Sequence, residues 1–149
     1  MNDTFVSPPG LDETALLLWA LSGAIVARRA DFDATGVFVI ALVSATGGGL
    51  LRDAMFLNRQ PVLLERTDFL LIVALATVVV LLFGSWLEQI GWWERLVAVI
   101  DAIGTPMFAF LGTAMALSLA VPPAGALLVG TVNGVGGGIL RDLLVGDVP

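Results

Sequence analysis

The stretch GGGLLRD occupies residues 47–53, and a near copy, GGGILRD, occupies residues 136–142. The two stretches are 89 residues apart and differ at one position, where Leu50 is matched by Ile139. Three further pairs fall in the same register: Gly23 with Gly112, Gly36 with Gly125, and Asp12 with Asp101. Because the matches continue far outside the motif, they indicate that one structural unit is present twice in the chain.

The composition is typical of a membrane protein. Of the 149 residues, 58% are hydrophobic and only 13% are charged, and the mean hydropathy is +0.96. A soluble domain has about a quarter of its residues charged, and a membrane-spanning helix needs about 20 largely apolar residues. We therefore predict an all-α integral membrane protein, with residues 1–149 forming a single transmembrane domain. We expect it to lie among lipids as a multi-pass protein of a prokaryotic inner membrane.

Missing residue types restrict the function. The chain contains no Cys and no His, so it lacks thiolate ligands and the commonest general base. Its seven basic residues, all Arg, are outnumbered by 13 acidic ones, whereas nucleic-acid binding needs clustered cations. We predict that the protein is not an enzyme and has no metal site, no cofactor and no nucleic-acid partner.

Charge-free runs place the helices. Residues 69–87 form a run of 19 without a charge, and residues 102–140 form one of 39, interrupted by Pro122-Pro123. As one helix the second run would be about 58 Å long, nearly twice the thickness of a membrane, so the chain must turn at the prolines. The predicted helices therefore cover residues 12–30, 34–57, 69–87, 93–120 and 124–145.

Helix counting sets the relation between the two copies. The first copy begins at the first predicted helix and the second copy at the fourth, so three crossings separate equivalent points and the copies face opposite ways. This predicts an inverted repeat of three-helix units, with repeat one over about 12–87 and repeat two over about 96–149. Such proteins usually place their pathway at the repeat interface. The second unit ends at Pro149 before its third helix, which we expect to be truncated here.

The glycine triplets allow two interpretations. Glycine lets helix backbones pack closely, or it weakens the helix so that backbone groups open to a cavity. Because both triplets precede an Arg-Asp pair, we predict the second: the second and fifth predicted helices break there and line a pore. The residues concerned are Gly47, Gly48, Gly49, Gly136, Gly137 and Gly138.

The Arg-Asp pairs also have two interpretations. A charge at the centre of a membrane helix costs about 2.5 to 3.5 kcal/mol on insertion scales, and neighbouring helical residues point about 100° apart. We therefore predict crossed ion pairs between the repeats, Arg52 with Asp142 and Arg141 with Asp53. Alternatively, the four charges mark helix ends at the membrane surface.

Other polar residues are candidates for the pathway. Asp101 lies inside the fourth predicted helix and is expected to attract cations in a water-filled vestibule, or else to be solvated near the surface. Uncharged oxygens would come from the polar residues that precede the glycines, Ser44, Thr46, Thr131 and Asn133. Such side chains also commonly bond to neighbouring helices.

At these residues the sequence resembles the TRIC channels, the trimeric intracellular cation channels, whose members carry the motif Gly-Gly-Gly-x-Leu-Arg-Asp twice. The resemblance implies a homotrimer with a pore in each protomer, kinks at both glycine motifs, and permeation of potassium. The leading hypothesis for function is therefore a potassium channel. The alternative is a secondary transporter or facilitator of a small neutral solute such as an amino acid, because inverted repeats also serve transport.

Overall fold

The computed structural model describes residues 7–58 and 60–147, except for the side chains of residues 86–90. This part of the chain contains helices and turns and no strand, which confirms the all-α prediction. The elements are α1 (Leu11–Arg29), α2 (Ala34–Leu51), which continues as a π-helical turn (Arg52–Phe56), α3 (Val62–Glu65), α4 (Asp68–Ile90), α5 (Trp93–Ser118) and α6 (Pro123–Val145). The five predicted helices correspond to α1, α2, α4, α5 and α6.

Four segments of the described chain are long and apolar enough to cross a membrane: Ala34–Phe56, Asp68–Ser85, Trp93–Ser118 and Pro123–Val145. The helix α1 is not one of them, because it carries two acidic residues in its first turn and two arginines in its last. It nevertheless lies at the centre of the bundle and contacts α2, α4, α5 and α6. Its middle, including Leu16, Trp19 and Ala20, is buried.

Local signals set the helix ends. The Oδ1 of Asp33 accepts a hydrogen bond of 2.7 Å from the backbone N–H of Gly36, which caps the start of α2. Pro122 and Pro123 form the start of α6, where a missing N–H costs nothing. Gly146 ends that helix with a φ of 86°, a conformation that glycine adopts readily. The predicted turn at the two prolines is confirmed.

The prediction that the helices break at the glycine triplets is wrong. The α-helical backbone continues through both triplets, and the only π-helical turn among the described residues begins later, at Arg52. A Cβ on Gly48 would collide with the carbonyl oxygen of Asn133, and one on Gly137 would collide with that of Ser44. The triplets therefore allow α2 and α6 to cross at backbone contact, which is the packing interpretation.

These contacts are reciprocal between the repeats. Ser44 and Asn133 are 89 residues apart, as are Gly48 and Gly137, so each helix presents the same glycine to the same position of the other. Packing inside each repeat also matches: a Cβ on Gly23 would lie 2.6 Å from the Cβ of Ser44, and one on Gly112 would lie 2.7 Å from the Cβ of Asn133. The reciprocal contacts agree with a pseudo-two-fold relation. The limits of the two repeats stay a prediction.

Adding one methyl group at the crossing should destabilise the fold. We expect Gly48→Ala to lower stability by about 1 to 3 kcal/mol, because the new Cβ must push the α6 backbone away. Gly49→Ala is the matched control, since its Cβ would meet nothing closer than 3.8 Å and alanine favours a helix by about 1 kcal/mol. The measurement is the thermal unfolding midpoint of the purified protein in detergent. Equal midpoints for the two variants would refute the close-packing role.

Candidate functional site

The arginine and aspartate of the first motif pair with each other. The Nε of Arg52 donates to Oδ1 of Asp53 at 2.8 Å, and its Nη2 donates to Oδ2 at 3.0 Å. The Asp53 carboxylate also accepts a hydrogen bond of 3.0 Å from the backbone N–H of Val62. Only 1% of Asp53 is exposed, so this bidentate ion pair compensates a buried carboxylate.

The pair of the second motif belongs to a larger cluster. The Nε of Arg141 donates to Oδ1 of Asp142 at 2.7 Å, and its Nη1 donates to Oδ2 of Asp101 at 3.0 Å. The hydroxyl of Ser22 accepts from Nη1 of Arg141 at 2.5 Å and donates to Oδ1 of Asp101 at 2.7 Å. Arg141 is buried, whereas 26% of the Asp101 side chain and 19% of the Asp142 side chain are exposed. This cluster therefore lies at the edge of the protein interior.

The predicted crossed pairs are wrong. Each arginine bonds to the aspartate that follows it, and neither Arg52 with Asp142 nor Arg141 with Asp53 forms an ion pair among the described residues. The prediction treated a guanidinium as fixed in the direction of its Cβ. The arginine stem is long and flexible enough to fold over to the adjacent carboxylate.

The two clusters nevertheless have the same composition. Asp12, Arg52 and Asp53 are each 89 residues before Asp101, Arg141 and Asp142. In repeat two all three side chains are connected by ion pairs. In repeat one Asp12 accepts a hydrogen bond from Ser7 and lines the same cavity as Arg52. Each cluster contains one Arg and two Asp, so its formal charge at neutral pH is negative.

A cavity of about 90 Å³ lies beside the cluster of repeat one. Its polar lining includes Ser7, Asp12, Thr46, Arg52 and Asp53, and its apolar lining includes Leu16, Phe69, Phe108, Leu111 and Met115. Pocket volume of this size accommodates several water molecules, since each needs about 10 to 15 Å³. The cavity is therefore large enough for a hydrated ion or a very small solute.

The connection between α2 and α4 covers this cavity. Pro61, Val62 and Leu63 belong to its lining. Next to them Arg66 donates to Asp68 and, at 2.5 Å, to Glu13, and its guanidinium stacks over the Phe69 ring at 4.6 Å. The hydrogen bonds to Asp68 and Glu13 raise the pKa of Arg66 above its ordinary value, so this contact stays charged.

A second gap lies where α2 and α6 cross, and it has no room for a water molecule. Its eight lining residues form four pairs that are each 89 residues apart: Trp19 with Phe108, Ser44 with Asn133, Ala45 with Gly134, and Gly48 with Gly137. Such a lining is expected at the pseudo-two-fold axis. Because Ala45 and Phe108 line both spaces, the gap adjoins the cavity.

Two residues that line this axial gap each have a buried polar atom without a hydrogen-bond partner in the described part of the chain, the Nε1 of Trp19 and the Oγ of Ser44. Asn133 is better satisfied: its Nδ2 donates to the Phe108 carbonyl at 2.6 Å, and its Oδ1 accepts from Nη1 of Arg52 at 3.4 Å. A buried polar atom without a partner costs about 1 to 3 kcal/mol. The gap is therefore a place where water or a ligand would be stabilised if the helices separated.

The predicted polar residues are thus only partly brought together. Ser44 and Asn133 line the gap, and Thr46 lines the cavity while its hydroxyl donates to the Leu42 carbonyl at 2.7 Å. Thr131 lies on an exposed face of α6 and donates to the Leu127 carbonyl at 2.8 Å, away from both spaces. The sequence interpretation missed Trp19, Phe108 and Ser22. The 89-residue register pairs Trp19 with Phe108, but Ser22 is matched by Leu111 and gave no signal.

The observed pairing predicts which charges depend on each other. We expect Arg141→Gln and Asp101→Asn to be coupled by about 0.5 to 3 kcal/mol in a double-mutant cycle, because removing either partner changes the charge balance of the other. The cycle between Arg141→Gln and Asp53→Asn is the control and should be additive. Both cycles are measured by thermal unfolding in detergent. An additive first cycle, or a coupled second one, would contradict the assignment.

Comparison with known proteins supports this architecture. A family model described as "Glycine transporter" matches residues 10–86 and 98–149. A UPF0126 membrane protein of Deinococcus radiodurans is 34% identical, the match covering 100% of this chain and 71% of the relative. The UPF0126 inner membrane protein YadS of Escherichia coli K12 is 33% identical, the match covering 93% of this chain and 66% of that protein.

Solved structures agree with these relatives. The crystal structure of a prokaryotic TRIC channel in 0.5 M KCl superposes with a TM-score of 0.88 at 28% identity, covering 93% of this chain and 70% of the other. The TRIC orthologue from Rhodobacter sphaeroides gives a TM-score of 0.86 at 30% identity, with the same coverage. The chain is therefore a multi-pass membrane protein of the family that includes the prokaryotic TRIC channels and whose model is described as a glycine transporter.

Proposed function

We propose that this chain conducts cations, with potassium as the permeant ion, through a pathway that follows the axial gap. The observation that carries the proposal is the pair of equivalent acidic clusters, each of which contacts the gap. Arg52 reaches Asn133 at the gap from one cluster, and Arg141 lies over the Trp19 ring, 5.7 Å from its centroid, from the other.

The charge of the clusters supports cation rather than anion permeation. Each cluster holds two carboxylates and one guanidinium. The positive charge of the arginine balances one carboxylate, so one negative charge remains. In a site with apolar walls such a charge raises the local concentration of cations. Potassium is proposed because the chain resembles the prokaryotic TRIC channels in fold.

A homotrimer is part of the same proposal. The similar Rhodobacter sphaeroides protein is described as a trimeric channel. Several large apolar side chains on α5 and α6, among them Phe110, Leu127 and Leu143, are exposed on the single chain. Lipid or neighbouring protomers would cover these residues.

Transport of glycine or a similar small zwitterion is the second candidate. It is favoured by the description of the matching family model and by the small volume of the cavity. In the cavity lining, Arg52 is available for the carboxylate of such a solute and Asp12 for its ammonium group.

The two candidates separate in one experiment on the purified chain in liposomes. A channel gives potassium flux down its gradient with unitary currents, whereas a transporter gives saturable glycine uptake without such currents. We expect potassium flux. Saturable glycine uptake with no potassium current would replace the first candidate by the second.

Removing one cluster charge should weaken conduction. We expect Asp101→Asn to lower the potassium flux severalfold at low salt, and less at high salt, because the ionic atmosphere screens the remaining field. Glu94→Gln is the matched control, since the Glu94 side chain is 84% exposed and pairs with Arg29 at the surface. Equal flux in the two variants at low salt would show that the Asp101 cluster does not attract the ion.

A further inference from the structure

The surroundings of two equivalent glycines, Gly49 and Gly138, differ between the repeats. A Cβ on Gly49 would meet only Nη2 of Arg52 at 3.8 Å and Oδ1 of Asn133 at 4.0 Å, because the cavity lies beside it. A Cβ on Gly138 would meet the indole of Trp19, with Cη2 at 2.9 Å and Cζ3 at 3.1 Å. The space that is open beside the first motif is therefore filled by an aromatic ring beside the second.

Glycines shape the slot that holds this ring. A Cβ on Gly104 would lie 2.9 Å from Nε1 and 3.1 Å from Cδ1 of Trp19. Together with Gly138, Gly104 therefore leaves room for the indole between α5 and α6. The guanidinium of Arg141 lies over the ring, which adds a cation–π contact on the side of the Asp101 cluster.

The equivalent residue of the other repeat is placed differently. Phe108 is half-buried and lines the cavity as well as the axial gap. Trp19 is only 4% exposed and lines the gap from the opposite repeat. Phe108 thus borders the open cavity, whereas Trp19 fills the equivalent space of the other repeat.

The indole is packed but not satisfied. Among the described residues its Nε1 has no hydrogen-bond partner, and neither has the Oγ of Ser44, which lines the same gap. A buried Trp N–H usually has an acceptor. Packing and the contact with Arg141 therefore hold the ring in its slot without a hydrogen bond, and a displaced ring would gain a hydrogen bond to water.

We propose that the indole of Trp19 is the movable plug of the pathway on the side of the Asp101 cluster. When the ring leaves the slot between Gly104 and Gly138, a second cavity opens that is equivalent to the one beside Gly49. The gap then connects to both acidic clusters. The proposal rests on the proposed cation pathway and names the side chain that closes it.

The first test is the potassium flux of liposomes that contain the chain. We expect Trp19→Ala to raise the flux at least severalfold, and Trp19→Phe, which introduces the residue of the other repeat, to raise it less. Trp93→Phe is the matched control, because Trp93 is also buried with an unpartnered Nε1 and lines neither the cavity nor the gap. If the original chain conducts potassium, flux in Trp19→Ala at or below that of the original chain would overturn the plug.

A second test does not depend on conduction. The chain has no cysteine, so Ser44→Cys introduces a single thiol at the gap, and its rate of modification by a charged, water-soluble thiol reagent reports access. We expect slow modification with Trp19 in place and at least tenfold faster modification when Trp19→Ala is added. Adding Trp93→Phe instead should leave the rate unchanged.

The labelling test is informative even if the chain does not conduct potassium. If the original chain carries no potassium, the proposed function fails, while faster labelling in the Trp19→Ala background still supports the plug. Gly138→Ala provides a third variant, because its methyl group meets the ring and should expel it, and labelling should accelerate there as well. Labelling that is unchanged in both backgrounds overturns the plug even if potassium flux is observed.

Discussion

The close crossing of α2 and α6 is the contact on which the rest of the structure depends. The carbonyl oxygens of Ser44 and Asn133 lie where Cβ atoms would be on Gly137 and Gly48, so the helices meet backbone to backbone. In a membrane the lipid tails are as apolar as the helix surfaces, so the hydrophobic effect does not drive helices together. Close packing is therefore a main source of helix association. Because the contact is reciprocal, it also aligns the two repeats on one axis.

This crossing explains why charged residues are tolerated nearby. By holding α2 and α6 together it fixes the positions from which Arg52 and Arg141 extend. Each guanidinium binds the carboxylate of the aspartate that follows it. Each also contacts a polar side chain of another helix, Asn133 for Arg52 and Asp101 for Arg141. Charges that would be costly on an isolated helix are compensated inside the bundle.

The same crossing leaves the space between α2 and α6 closed to water. The close contact between the glycines of α2 and α6 leaves no room for water between these helices. The cavity beside the cluster of repeat one therefore ends at the pseudo-two-fold axis. For the pathway proposed above, opening requires a side chain or a helix to move. The unpartnered polar atoms of Trp19 and Ser44 mark the place where such a movement gains hydrogen bonds.

The sequence by itself determined the five long helices, the membrane class and the duplicated motif, because apolar runs, Pro122-Pro123 and an 89-residue register are local or linear signals. It also selected Ser44 and Asn133 for the interface. It did not determine whether the glycine triplets bend or pack, since glycine permits both and only a neighbouring backbone decides. The tertiary structure likewise decided the partners of Arg52 and Arg141 and the buried position of Trp19 between Gly104 and Gly138. The acceptors and spaces that these long side chains occupy exist only when the helices are assembled.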